Sequence, residues 1–93
     1  MIAVPASGTL EQALAHAERL LQRDPALAVE QLDEILQTVG AHPLALRLLA
    51  AARLRQDDAQ AALDILLPLA PSQPTWAALQ LDLGVVLGRL GRG

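Results

Sequence analysis

The side chains able to do chemistry are few and widely spaced. His16 and His42 are the only histidines, and neither has a carboxylate or a second histidine three or four residues away. A helical metal site or an acid–base pair uses that spacing, so neither is expected. His16 reads as a packed side chain with one nitrogen hydrogen-bonded, and His42 as exposed in a loop before a proline. Asp57 and Asp58 form an aspartate pair, but no ring of further oxygens is spaced for calcium. They read as a turn and a helix cap. Ser7, Thr38, Ser72 and Thr75 fall near expected helix ends, where a hydroxyl is better explained by capping than by nucleophilic attack. With no cysteine, disulfides, thiolate metal sites and cysteine nucleophiles are all excluded, and the redox compartment is left open. No catalytic, cofactor-binding or metal-ligating residue is expected, and the chain reads as non-enzymatic.

The charge pattern narrows the partners further. The formal net charge is −3 and all seven cations are arginines, whereas nucleic-acid-binding domains are usually basic with cations clustered on one face. Near the start, Pro5 interrupts the apolar run and no basic residue precedes it, so neither a signal peptide nor an anchor is expected. The longest apolar stretch, residues 44–54, contains Arg47 and Arg53 and is far shorter than the roughly 20 residues that span a bilayer. These features point to a cytoplasmic protein with no nucleic-acid or membrane partner.

The elements that must hold these residues are helices. The chain is 53% hydrophobic yet nearly free of aromatic residues, and Ala, Leu, Gln, Glu and Arg, good helix formers, dominate it. Thr9 and Gln12 fit a capping box, with Ser7 an earlier alternative. Leu10, Ala13, Leu14, Ala17, Leu20 and Leu21 then recur on one helical face. Asp24-Pro25 supplies a cap and a first-turn proline for a second helix. Its buried stripe is Val29, Leu32, Ile35, Leu36 and Val39, and Gly40 ends it. Pro43 opens a third helix that is apolar nearly all round, as expected of an element covered on several sides. Asp57 or Asp58 caps a fourth, which Pro68 should kink or stop near Leu67. Pro74 or Thr75 begins a fifth, in which Gly84, Gly88 and Gly91 weaken the helix unless packing requires them.

These helices repeat. A shift of 34 positions lays residues 9–42 over 43–76, matching Leu10 with Leu44, Arg19 with Arg53, Asp24 with Asp58, Ala28 with Ala62 and Leu32 with Leu66. A second shift lays residues 77–93 over the first half of that unit. A 34-residue period is characteristic of stacked helix-turn-helix units. The expectation is an all-α fold of stacked antiparallel helical hairpins, five helices in about two and a half repeats. Residues 1–8 would form a loose arm ahead of a single domain over residues 9–93.

Leu83-Gly84 followed by Gly91, Ala62 as the small residue of a second helix, and Pro74 as a closing proline together resemble the tetratricopeptide repeat family. The usual aromatic positions are empty: Leu46 and Gln80 stand where Trp is common, and Arg53 and Leu87 where Tyr is. In the second unit Asp57 replaces the turn glycine, which Asp tolerates in a left-handed conformation.

The resemblance implies a non-catalytic protein-interaction module, without cofactors, whose odd-numbered helices line a concave groove. Carried over position by position, the groove takes Ala13, Ala17 and Leu20 from the first helix. It takes Arg47, Ala51, Leu54 and Arg55 from the third, and Leu81, Val85 and Arg89 from the fifth. Arginines beside an apolar strip suit an acidic peptide or protein segment with hydrophobic anchors. The alternative is that these arginines lay their stems on the surface and pair with nearby carboxylates. Gly84 or Ala50, facing Ala62 or Ala28, would permit close helix approach. The fifth helix is expected to leave Leu83, Val86, Leu87 and Leu90 uncovered, as in a piece of a longer array or a chain that associates with a second copy. A different reading makes the repeats an N-terminal appendage of an enzyme whose catalytic domain follows residue 93, as in some bacterial transferases.

Overall fold

The computed structural model describes residues 7–91. Among them it is all-helical: α1 (Ser7–Arg23), α2 (Pro25–Val39), α3 (Pro43–Arg55), α4 (Ala59–Leu69), a single 3₁₀ turn (Ala70–Ser72) and α5 (Ala77–Arg89). Positions 1–6 of the expected arm lie outside the described residues, and helix already includes position 7. Thr9 is therefore inside the first turn and is not the residue at which the helix begins.

Aspartate and proline set the start of α2 as expected. Asp24 Oδ1 accepts from the Leu27 amide at 3.3 Å, with Pro25 in the first turn. Thirty-four residues on, Asp58 Oδ1 accepts from the Ala61 amide at 3.0 Å and caps α4. The same spacing links the ends of α3 and α5. Asp57 has φ +63° and its amide donates to the Leu54 carbonyl at 3.0 Å, while Gly91 has φ +74° and donates to Gly88 at 3.1 Å. Asp57 thus takes the left-handed conformation that its place in the turn requires, at a cost a short polar side chain can bear.

Burial follows the same period. Ala28 and Ala62 are both 0% exposed, Leu32 and Leu66 are 0% and 1%, Ala45 and Leu79 are both 0%, and Ala52 and Val86 are 0% and 1%. The core falls into two apolar clusters. The first joins α1, α2 and α3 through Leu14, Ala17, Leu32, Ile35 and Leu48. The second joins α3, α4 and α5 through Ala50, Ala62, Leu63, Leu66, Leu79 and Val86. Ile65 packs against both. Helix α3 touches all four other helices, which accounts for its apolar character on every side. Ala50 and Ala62 share the second cluster, and the absence of longer side chains there lets α3 and α4 approach closely.

Four local expectations need correction. Val39, placed on the buried stripe of α2, is 40% exposed at the helix's last position, where the chain leaves the helix for the turn at Gly40. Helix α4 passes Pro68 and ends at Leu69. The proline removes only the bond to the Asp64 carbonyl, and Asp64 is on an exposed side where water can replace it. The chain then tightens into the 3₁₀ turn, with Ser72 Oγ donating to the Leu69 carbonyl at 2.8 Å. Helix α5 starts at Ala77, not at Pro74, because Pro74 is used in a turn closed by the Trp76 amide on the Gln73 carbonyl at 3.2 Å. That is the turn position for which proline's fixed φ is suited. Finally, a Cβ built on Gly84 or Gly88 meets nothing within 4 Å, so neither glycine is required by a close helix contact.

Gly40 has a conformational reason. Its φ of +80° and ψ of −161° lie in a region essentially restricted to glycine, and its amide caps α2 by donating to Leu36 at 2.8 Å. Since an added Cβ would meet nothing, Gly40→Ala isolates the backbone cost. A loss of about 1 to 3 kcal/mol is expected, read as a lower urea midpoint with unchanged slope.

Candidate functional site

Arg47, Ala51, Leu54 and Arg55 lie on α3, and Leu81, Val85 and Arg89 on α5, two helices in direct contact. Part of this set converges. Ala51, Leu54 and Val85 line a cleft of about 80 Å³ together with Ala50, Leu66, Asp82 and Val86. Leu81 and Val85 continue outward onto an open hollow lined by Pro74, Thr75, Ala77, Gln80 and Gly84. Leu81 is 71% exposed and Val85 50%, so this strip is apolar and accessible. On α1, Leu20 and Ala13 are half-buried, but Ala17 is fully buried in the first cluster and cannot contribute to a groove.

The three arginines differ in their engagement. Arg47 is tied inside the fold: its Nε donates to Asp82 Oδ2 at 2.5 Å and its Nη2 to Asp82 Oδ1 at 3.4 Å. Its guanidinium also lies 5.7 Å from the centre of the Trp76 ring, a separation at which the ring face attracts a cation. This arrangement joins the front of α3 to the start of α5 across 35 positions of sequence. At the other end, Arg55 reaches Gln22 Oε1 at 3.5 Å, and Arg89 lies 4.0 Å from Asp57. Both are long, exposed contacts, so Arg55 and Arg89 remain open to an external anion.

The rotation of α5 differs from that expected. Val86 is buried, and Leu83, Leu87 and Leu90 pack against the second cluster. The outward stripe is Ala77, Leu81, Gly84 and Val85. A helix apolar on both sides gives no clear periodic signal for which side turns in; the inward side buries Leu79 and Val86 and brings Asp82 to Arg47. The histidines are also exchanged relative to expectation. His16 is exposed, whereas His42 is half-buried and caps α3, its Nδ1 accepting from the Ala45 amide at 3.3 Å. An imidazole just ahead of Pro43 was legible as a loop residue, but its capping role was not, since Ser, Thr, Asp and Asn are the usual residues there. Asp82 and Trp76 are the site residues that sequence reasoning left out.

The fold and this surface define an all-α chain of five helices with an accessible apolar strip between its third and fifth helices. Compared with protein-family models, curated proteins and solved structures, the chain has no match. Among the described residues, no helix is long and apolar enough to cross a membrane, and no three His, Asp or Glu side chains are grouped to hold a metal ion.

Proposed function

We propose that the chain is a non-catalytic protein-interaction module of the tetratricopeptide-repeat type, which holds an apolar peptide segment with an acidic end along the α3–α5 face. The observation that carries this reading is the strip Ala51, Leu54, Val85 and Leu81, apolar and open, with Arg55 and Arg89 at the end where both helices finish. The repeat of caps and buried alanines at 34-residue spacing supports the family resemblance. Charge complementarity selects the occupant: the carboxylate on the strip, Asp82, is already paired with Arg47, and at the end of the strip Arg55 and Arg89 outnumber the carboxylate recorded beside them, the exposed Asp57 at 4.0 Å from Arg89. A carboxylate at the end of a bound segment would take hydrogen bonds from one or both guanidinium groups.

Trp76 borders this face and supplies the optical readout. Titration with synthetic peptides carrying leucine anchors followed by either glutamates or lysines is expected to perturb its emission with the glutamate set only. Leu81→Glu should weaken that binding at least tenfold while changing stability by no more than about 0.5 kcal/mol, as is usual for exposed positions. Equal binding of both peptide sets, or full affinity in Leu81→Glu, would refute the reading.

A further inference from the structure

Helix α5 is less firmly held than α2, α3 and α4 by several independent measures. Its N-cap, Trp76, makes no side-chain capping bond, whereas Asp24, His42 and Asp58 cap α2, α3 and α4. Gly84 lies in its interior and Gly88 in its last turn, both with open space where a side chain would be, so their conformational cost is not repaid by packing. Only Leu79 and Val86 of α5 are buried, against five residues of α3 and four each of α2 and α4. The helix rests chiefly on α4 and α3, and the cleft of about 80 Å³ lies along that seam. Its connector is held to itself, by Gln73 donating to Ala70 at 3.0 Å and Trp76 to Gln73 at 3.2 Å, and Pro71 and Pro74 have no amide with which to tie it further.

We propose that α5 opens and closes as a strap on the α3–α4 hairpin, with the Arg47–Asp82 pair as its catch, while α1 to α4 stay folded. In the open state Leu63, Leu66 and Leu69 lose their cover, and the strip Ala51–Leu54–Val85 ceases to exist because half of it leaves. Segments with few buried contacts open at lower free energy than the global transition. The Arg47 and Asp82 side chains are 30% and 29% exposed, so salt reaches the catch and favours opening. The inference does not rest on the proposed function, because opening is measured on the chain without a partner.

Amide hydrogen exchange on the full chain tests it. Amides of α5 are expected to exchange at least tenfold faster than those in the middle of α3, with the difference widening at high salt. Gly84→Ala adds a methyl group into open space and should slow α5 exchange about fivefold, leaving α1 and α2 unchanged. Asp82→Asn should speed α5 alone. A single exchange rate shared by α3 and α5, or an alanine variant that shifts every helix equally, would overturn the proposal, since α5 would then unfold only with the whole. Failure of the peptide titration leaves these exchange results untouched, which separates the two readings.

Discussion

Ala62→Asp is expected to unfold the half of the molecule built from α3, α4 and α5. Ala62 is 0% exposed and sits among Leu63, Leu66, Leu79 and Ala50, with no cation in that cluster to meet a carboxylate. An ionised side chain there loses its hydration without compensation, and a protonated one still brings two unpaired polar atoms and excess volume. Leaving a buried charge unpaired costs on the order of 3 to 5 kcal/mol. A chain of 93 residues has a total stability of only about 5 to 14 kcal/mol. Urea unfolding followed by circular dichroism should show a much lower midpoint, or loss of the transition altogether. Ala26→Asp, on an exposed position of α2, is the matched control and should behave like the parent. A parental midpoint for Ala62→Asp would mean that α4 does not pack through this residue.

In the first cluster, Leu32→Ala should have the other large effect. Leu32 is 0% exposed at the middle of α2, between Ala28, Val29 and Ile35 on its own helix and Leu14, Leu21 and Leu48 from α1 and α3. Removing three carbons from such a site sacrifices their transfer free energy and leaves a cavity that rigid neighbouring helices fill only in part, a combined loss of about 2 to 5 kcal/mol. Leu67→Ala, the same change at a residue 52% exposed on α4, should stay within about 0.5 kcal/mol of the parent. Thermal melts of the three proteins side by side check both values. Similar melting of the two variants would show that α2 is not held by its apolar face.

Much of this architecture was legible because the physics that sets it is local. Asp24-Pro25 and Asp57-Asp58 each specify a cap within three residues, and both caps form. The 34-residue shift pairs Ala28 with Ala62 and Leu32 with Leu66, and these pairs share nearly the same burial. What was not legible depended on contacts distant in sequence. The facing of α5 brings Asp82 to Arg47, 35 positions away in sequence, and a helix with apolar residues on two sides gives no clear periodicity to reveal it. Pro68 looked like a stop because its cost was weighed without knowing that the carbonyl it deprives faces water. For the candidate site, the apolar members Ala51, Leu54, Leu81 and Val85 were recoverable from repeat position, but the division of the arginines was not. Arg47 is engaged internally because Trp76 and Asp82 happen to flank it, while Arg55 and Arg89 lack so close a carboxylate.

The single indole of the chain belongs to the second cluster, where it lies beside the Arg47 guanidinium. Tryptophan emission is therefore a one-sided gauge: it registers the junction of α3 with α5 and is blind to the contacts between α1 and α2. Ellipticity, which averages over every helical residue, has no such bias. Superimposable emission and ellipticity curves during denaturation would mark a cooperative whole, and emission that moves first would time the loosening of one end against the persistence of the other.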